Sequence, residues 1–222
     1  MIKRYEILLI LSLLNLNSCS VLDNNNIAPG YKEAIKSITN LVFGYQEDLI
    51  TKELVENIPY ASSTLKIGKG PKGLIILESK IQNNYIWVSA DGIFLKIKNG
   101  RIIETSGLNN NLTSTVDPFR KKNLFQQLES QTYKYYQSYD EPLLNNLEIE
   151  VTIKNKGQEI VTILGEERKL RVFSEIKTNE YLGWKAENTY WLDDNNFVWK
   201  SEQYISPKLP KLVIEVTKKP SI

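Results

Sequence analysis

The sequence contains no histidine and only one cysteine among its 222 residues. Histidine is the commonest general base and the usual activator of serine and cysteine nucleophiles, so its absence removes these mechanisms and most catalytic zinc sites. A single cysteine, Cys19, forms neither an intrachain disulfide nor a thiolate metal cluster. We therefore expect no catalytic residue of these kinds, no bound cofactor and no metal.

The sequence also lacks an excess of one charge and any long hydrophobic run. Its 28 basic and 26 acidic residues leave a net charge of +2, which gives no indication of a nucleic-acid partner. The N-terminal apolar run over residues 7–14 is interrupted by Ser12 and is too short to span a bilayer. With 41% hydrophobic residues, the chain is nevertheless long enough to bury a sizeable core, and one folded domain is predicted.

The N-terminus carries the features of a bacterial lipoprotein signal. Lys3 and Arg4 form a basic region before the apolar run, which ends in Leu16-Asn17-Ser18-Cys19. This ending resembles a lipobox, in which the cysteine is lipidated and becomes the first residue of the mature protein. Asn17 departs from the preferred residue at its position, and a plain secretory signal with an incidental cysteine is the alternative. Because Ser20 stands where inner-membrane lipoproteins have aspartate, we expect a lipid anchor in the outer membrane, on its periplasmic face.

The predicted signal divides the chain into three parts. Residues 1–18 are the signal peptide, residues 19–30 a lipidated flexible tether, and residues 31–222 a single periplasmic β domain with an N-terminal helical preamble. Apolar residues at three- and four-residue spacing predict an amphipathic helix over residues 35–49, which Gly44 weakens. Thr51 is expected to N-cap a second, short helix that continues to about Asn57.

From Ser62 onward the pattern is that of an antiparallel β meander. Short β-rich runs are separated by turn sequences, of which Asp91-Gly92 and Asn99-Gly100 are strong hairpin signals. Residues 108–118 are expected to form a loop between two meanders, and residues 119–131 a short helix or an irregular strand. Further turns are predicted at residues 155–157 and 193–196, with strands on either side of each.

The stretch GKGPKG, residues 68–73, fits the G-x-G-x-x-G pattern of dinucleotide-binding loops. That pattern binds pyrophosphate only where a helix follows the third glycine. Here the β-branched run Leu74-Ile75-Ile76-Leu77 follows, and ATP and reduced nicotinamide cofactors are scarce in the periplasm. We interpret GKGPKG as a tight turn between two strands and expect no nucleotide.

Two groups of residues are candidates for a functional site. The paired carboxylates Asp140-Glu141, Glu166-Glu167 and Asp193-Asp194 all lie at predicted turns, where turn formation and solubility explain them without catalysis. The aromatic residues are more suggestive, because amphipathic rings line many carbohydrate sites, although packing in the core is the simpler explanation for any single ring. The candidates for contact with a glycan or a protein partner are Trp87, Trp184, Tyr190, Trp191 and Trp199.

Several stretches, in their order and spacing, resemble the YjbF/GfcB family of lipoproteins, which is associated with capsule and exopolysaccharide production in Gram-negative bacteria. They are IPYAS at 58–62, KIGKGP at 66–71, WVSADG at 87–92, NGRI at 99–102, TSGL at 105–108, YW at 190–191, VWKS at 198–201 and SPKLP at 206–210. The likeness spans roughly residues 40–220, and the turn at residues 193–196 departs from it by lacking a glycine.

The resemblance implies a mainly β fold, in which a large antiparallel sheet curls into a barrel-like domain behind short N-terminal helices. It also implies a non-catalytic accessory role in polysaccharide secretion or assembly at the outer membrane, with polysaccharide or export proteins as partners. The family supplies no catalytic residue to carry over. The alternative is a polysaccharide-modifying enzyme that uses a pair of carboxylates, which requires two acidic side chains to converge in the fold. A purely structural envelope protein is a third interpretation.

Overall fold

The computed structural model describes residues 50–116, residue 125 and residues 131–220. The predicted signal peptide, the tether, Cys19 and the helix over residues 35–49 lie outside the described residues. Most of the segment predicted as a short helix or irregular strand, residues 119–131, lies outside them too. Within it the structure describes Phe125, which is buried, and Gln131, which begins a strand.

The described chain begins with one short helix, α1 (Lys52–Asn57), as the sequence predicts. Thr51 has extended backbone geometry, and its hydroxyl accepts a hydrogen bond of 3.2 Å from the amide of Leu54. This contact satisfies one of the amide donors that a helix N-terminus leaves unpaired. Val55 is the buried residue of the helix, and the Lys52 ammonium pairs with the Glu166 carboxylate at 2.9 Å.

Twelve antiparallel strands form the rest of the described chain. They are β1 (Ser62–Ile67), β2 (Lys72–Ile81), β3 (Asn84–Ser89), β4 (Phe94–Lys98), β5 (Arg101–Ser106), β6 (Leu112–Val116), β7 (Gln131–Tyr139), β8 (Leu144–Ile163), β9 (Glu166–Asn179), β10 (Trp184–Leu192), β11 (Val198–Gln203) and β12 (Leu212–Lys218).

All twelve strands belong to one sheet, in the order β5-β4-β3-β2-β1-β12-β11-β10-β9-β8-β7-β6. Every pairing except that of β1 with β12 joins strands that are consecutive in the sequence. The strands therefore form a meander in which the first and last strands of the chain lie side by side within the sheet. The edge strands β5 and β6 approach each other where the amide of Leu112 donates a 2.9 Å hydrogen bond to the Thr105 hydroxyl. The sheet is therefore nearly closed into a barrel, and the expected fold class is confirmed.

Two local predictions are wrong. A turn was predicted at residues 155–157, but these residues form a bulge within the single long strand β8. In the bulge the Asn155 side chain accepts a 2.8 Å hydrogen bond from the amide of Gly157, and Gly157 has a φ of 94°. The loop predicted over residues 108–118 contains strand β6, which pairs with β7. Hydrogen bonding across the sheet overrides the local turn preference of Asn155 and Gly157 in the first case. In the second case it extends the strand pairing into a segment that follows three asparagines.

The stretch GKGPKG lies between two strands, as predicted. Residues 68–71 connect β1 to β2, which pair directly, with Leu65 opposite Gly73. Gly68 has a φ of 55°, and a Cβ atom at this position would lie 2.8 Å from Pro210. Glycine is required there both for its backbone conformation and for the close approach of Pro210.

The inner face of the barrel carries two apolar clusters. One lies among β1 to β6 and β12 and includes Trp87, Leu95 and Ile214. The other lies among β7 to β10 and includes Phe173 and Tyr190. A third, smaller cluster on the outer face joins Trp191 to Leu170 and Val172. No helix among the described residues has the length and apolar character needed to cross a bilayer.

Candidate ligand cavity

A cavity of about 300 Å³ opens at one end of the barrel, which we call the cavity end. Residues of β1, β2, β3, β4, β11 and β12 form its wall, and the turns at residues 82–83, 99–100 and 193–197 surround its mouth. The GKGPKG turn lies at the opposite end of the barrel, because β1 and β2 run the full distance between the two. The volume is at the lower limit of known ligand cavities, which suits a short stretch of a ligand.

Four aromatic side chains line the cavity: Tyr85, Trp87, Phe197 and Trp199. Trp87 is 4% exposed and belongs to the core, whereas the other three are half-buried. The ring of Trp199 is fixed in place, because its Nε1 donates a 3.0 Å hydrogen bond to Asp193 and the Arg168 guanidinium stacks 3.7 Å from its centre. Phe197 meets Trp199 edge-on, with 5.3 Å between the ring centroids. Fixed rings of this kind present apolar faces without a further loss of side-chain entropy.

The polar lining consists mainly of amides and hydroxyls. Asparagines from all three mouth turns contribute, namely Asn83, Asn99, Asn195 and Asn196. Ser63 lies on the wall, is 0% exposed, and its hydroxyl makes no hydrogen bond within the part of the chain that the structure describes. A buried hydroxyl without a partner costs about 1–3 kcal/mol. Its place in the cavity wall makes Ser63 a candidate for contact with a ligand.

A network of buried polar side chains lies beneath the cavity. At its centre Glu175, on β9, is 0% exposed and forms an ion pair with Arg101, at the start of β5. Its other oxygen accepts hydrogen bonds of 2.8 Å from the Tyr190 hydroxyl and 2.9 Å from the Asn188 amide. The Arg101 guanidinium also donates to the Tyr133 hydroxyl on β7. The network thereby joins an edge strand to strands on the other side of the barrel.

The floor of the cavity is continuous with this network. Gln203 donates hydrogen bonds of 2.9 Å to the Gly100 carbonyl and to the Ser201 hydroxyl, and its side-chain oxygen accepts one of 3.0 Å from the amide of Ile102. Gly100 and Ser201 both line the cavity. The mouth turn that contains Gly100 is therefore held against β11 by the same side chains that surround the buried ion pair.

Burial and neighbouring charges shift the pKa values inside the network. Burial raises the pKa of a carboxyl, but at Glu175 the charges of Arg101 and Lys177 and the hydrogen bonds from Tyr190 and Asn188 outweigh it and hold the pKa below its usual value. Burial lowers the pKa of Lys177 to about 8, although the Glu175 charge opposes the shift. Glu175 is therefore a charged structural group at neutral pH rather than a proton donor.

None of the acidic pairs singled out in the sequence is among the residues that line the cavity. Glu175 is the one Asp or Glu that is buried among the described residues, and none of the residues that line the cavity is acidic. A glycosidase requires two carboxylates on either side of the scissile bond. Asp140-Glu141 and Asp193-Asp194 lie at turns, as predicted. The prediction is wrong for Glu166-Glu167, which begins β9 directly after the turn at residues 164–165 and pairs with β8.

The structure brings together two of the five aromatic residues singled out in the sequence. Trp87 and Trp199 line the same cavity. Trp191 lies on the outer face, where its Nε1 donates a 2.8 Å hydrogen bond to Glu159, and Trp184 lines a separate open groove with Tyr204. Tyr190 is 0% exposed inside the network, so its contacts are with the protein.

Sequence reasoning missed Phe197, Ser63 and the four asparagines as candidate site residues. Two of the three mouth turns, at residues 99–100 and 193–197, had been recognised as turns, but their convergence depends on the closure of the sheet. Asparagine is common in turns for conformational reasons alone, so its presence there carries no functional signal. A serine within a β-rich run gives no indication that its hydroxyl is buried without a partner.

The fold and the cavity define a class of protein: a single barrel-like β domain with an aromatic and amide-lined cavity at one end. The chain belongs to the family described as "Group 4 capsule polysaccharide lipoprotein gfcB, YjbF", which matches residues 35–217. It is thus a member of a capsule-associated lipoprotein family, and the resemblance noted in the sequence is confirmed.

Relatives in Escherichia coli (strain K12) show the same relationship. The chain is 25% identical to the "Uncharacterized lipoprotein YjbF" over 179 residues, which cover 78% of this chain and 82% of that protein. It is 26% identical to the "Uncharacterized lipoprotein GfcB" over 156 residues, which cover 68% and 72% of the two chains. The crystal structure of the hypothetical lipoprotein YmcC from the same organism superimposes on this structure with a TM-score of 0.68 at 20% sequence identity. The match covers 88% of this chain and 98% of YmcC, so the two proteins share a fold.

Proposed function

We propose that this protein is a non-catalytic accessory factor in the secretion or assembly of capsule or exopolysaccharide, and that its cavity binds the polysaccharide. It is anchored through lipid on Cys19 to the periplasmic face of the outer membrane, where export proteins are further partners. Membership of the capsule lipoprotein family and the lipobox-like sequence that ends at Cys19 support this proposal.

The composition of the cavity carries the binding part of the proposal. Sugars present apolar C–H faces, which stack on aromatic rings, and a fringe of hydroxyls, which both donate and accept hydrogen bonds. The cavity offers Tyr85, Trp87, Phe197 and Trp199 for the first kind of contact. Its asparagine amides and the Ser63 hydroxyl serve the second, since each of these groups both donates and accepts.

A titration of the full chain, purified in mild detergent, tests glycan binding. The ligand is surface polysaccharide extracted from the cells that produce the protein and cut into oligosaccharides, and tryptophan fluorescence is followed because Trp87 and Trp199 line the cavity. Saturable change supports the proposal. Absence of saturable change in both fluorescence and calorimetry contradicts it and favours a protein partner, which crosslinking in intact envelopes then identifies.

The variant Ser63→Ala separates a binding role from a structural one. Its hydroxyl has no partner among the described residues, so its removal leaves the stability of the fold unchanged or higher. Loss of one hydrogen bond to the ligand weakens binding by about fivefold. Ser174→Ala is the matched control, because the Ser174 hydroxyl is also buried and unpartnered in the described structure but does not line the cavity. Equal affinities of the two variants contradict the assignment of the cavity.

Deletion of the gene tests the cellular role. We expect the amount of surface polysaccharide to fall and to recover with the wild-type gene, but only in part with Ser63→Ala. Unchanged capsule and exopolysaccharide in the deletion strain contradict the accessory role. Shortened or altered glycan repeat structure in place of a reduced amount supports a polysaccharide-modifying enzyme instead.

A further inference from the structure

We propose that the cavity selects an acidic saccharide, one whose sugar residues carry carboxylate or phosphate groups. This inference rests on the proposed function and adds to it the chemical class of the ligand. It comes from the distribution of charge around the cavity, where lysines are present and carboxylates are either absent or already paired within the protein.

Among the described residues, the cavity lining contains two lysines, Lys80 and Lys200, and no acidic residue. The Lys200 ammonium lies against Glu215 and the ring of Trp191 on the outer face, so Lys80 carries the inference. Lys80 is exposed at the end of β2, and its ammonium has no carboxylate within ion-pair distance among the described residues. It lies 5.6 Å from the ring centre of Tyr85, another residue of the lining. A cation beside an aromatic ring provides both a charge contact and a stacking surface for one sugar residue.

Two carboxylates that contact residues of the cavity lining are already paired within the protein. Glu215 is shared by two lysines, at 2.7 Å from Lys72 and 3.4 Å from Lys200, so one negative charge faces two positive ones. Asp193 accepts hydrogen bonds from the indole of Trp199 and from backbone amides of its own turn, and it pairs with Lys219 at 3.3 Å. Asp194 is exposed in the same turn but does not line the cavity.

The arrangement favours an anion over a neutral sugar for a physical reason. A neutral oligosaccharide offers the Lys80 ammonium only hydroxyl acceptors, whereas a carboxylate or phosphate makes a stronger, charge-assisted contact with it at the rim of a partly desolvated cavity. The opposite selection, for a cationic sugar, is disfavoured because none of the described residues of the wall is acidic. The buried ion pair of Arg101 and Glu175 lies beneath the floor and is satisfied internally, so it does not contribute to this selection.

The test uses the surface polysaccharide of the producing cells, separated by anion exchange into an acidic and a neutral fraction. The acidic oligosaccharides are further divided into untreated, carboxyl-reduced and dephosphorylated samples, which distinguish uronic acids from phosphate as the source of charge. Each is titrated against the full chain by tryptophan fluorescence. We expect the acidic fraction to bind more tightly, one of the two treatments to remove the preference, and raised salt to weaken the binding.

Substitution of Lys80 locates the preference. Because exposed ion pairs contribute little free energy, Lys80→Gln is expected to weaken binding of the acidic fraction by about two- to fivefold and to leave the neutral fraction unaffected. Lys80→Arg retains the charge and is expected to retain the affinity. Lys69→Gln removes the same charge from the turn at the opposite end of the barrel and serves as the matched control.

The outcomes separate this inference from the proposed function. If the two fractions bind equally, or if Lys80→Gln and Lys69→Gln have the same affinity for the acidic fraction, the selection for acidic saccharides is wrong and glycan binding stands. If neither fraction binds, glycan binding itself is wrong and the inference fails with it.

Discussion

Replacement of Glu175 by glutamine should remove a large part of the stability of the domain. The carboxylate is 0% exposed and is the centre of four contacts, from Arg101, Tyr190, Asn188 and Tyr133. Glutamine has nearly the same shape but no charge, and its amide nitrogen would face neighbours that are themselves donors. Loss of one partner from a buried ion pair costs about 3–5 kcal/mol, because the remaining charge stays desolvated.

Urea unfolding at neutral pH, followed by tryptophan fluorescence and circular dichroism, measures the loss. Arg101→Met should also destabilise the fold, and the double variant should lose less than the sum of the two single losses by about 2 kcal/mol. Glu148→Gln is the control: it breaks the exposed pair with Lys134, and we expect no measurable change. A loss below about 1 kcal/mol for Glu175→Gln, or strict additivity in the cycle, would refute the reasoning.

The difference between wild type and Glu175→Gln should also depend on pH. The pKa of Glu175 is lower in the folded protein than the value of about 4.3 expected for an unfolded chain. A depressed carboxyl pKa contributes stability that is fully present above the unfolded value and is lost as the pH falls through the folded value. We therefore expect the difference in unfolding free energy to be constant between about pH 5 and 7 and to shrink below about pH 4.

Three further predictions concern single positions. Because burial lowers the pKa of Lys177 to about 8, the folded state should gain stability as the pH rises from 8 toward 10, by at most about 3 kcal/mol. Urea unfolding at each pH measures this gain, and Lys177→Met should abolish it. Gly100→Ala should destabilise the fold by about 2–4 kcal/mol, because Gly100 has a φ of 80° and a Cβ atom there would overlap Val198. Adding Val198→Ala to this variant should recover part of the lost stability, as measured by urea unfolding. Ser20→Asp should move the protein to the inner-membrane fraction, and Cys19→Ala should release it from membranes; unchanged fractionation of both would contradict the predicted lipid anchor.

The sequence predicted the elements whose signals are local. Thr51 at the start of α1 and the Asp91-Gly92 and Asn99-Gly100 turns depend only on neighbouring residues, and each was placed correctly. The bulge at residues 155–157 was misread because asparagine and glycine favour a hairpin turn as strongly as a bulge. Pairing with β9 on both sides of the bulge decided between them, and such pairing is not visible in one strand alone.

The candidate site was harder to predict because it depends on which face of each strand points inward. Tyr190 and Trp191 are adjacent, so one must face the interior and the other the exterior. Both are large and aromatic, which leaves the choice open. Glu175 and Lys177 point into the barrel although they are charged, so alternation of polar and apolar residues gives the wrong indication for this part of β9. Their burial becomes intelligible only once Arg101 is brought to them from another part of the chain.

The buried ion pair and the cavity are best understood together. Replacing a buried ion pair by apolar residues is often neutral or stabilising, so stability alone is a weak reason for such a pair. Here the pair fixes the start of β5, an edge strand of the sheet, and the turn just before it carries Asn99 and Gly100 at the cavity mouth. Gln203 ties the same turn to β11. Without this pair the edge strand would no longer be fixed, and the mouth turn would be free to move. We therefore expect Glu175→Gln to weaken ligand binding under conditions where the variant remains folded. Glu175 itself does not line the cavity, so this loss would act through the position of the turn. Unchanged affinity in the folded variant would show that the network supports the barrel without shaping the site.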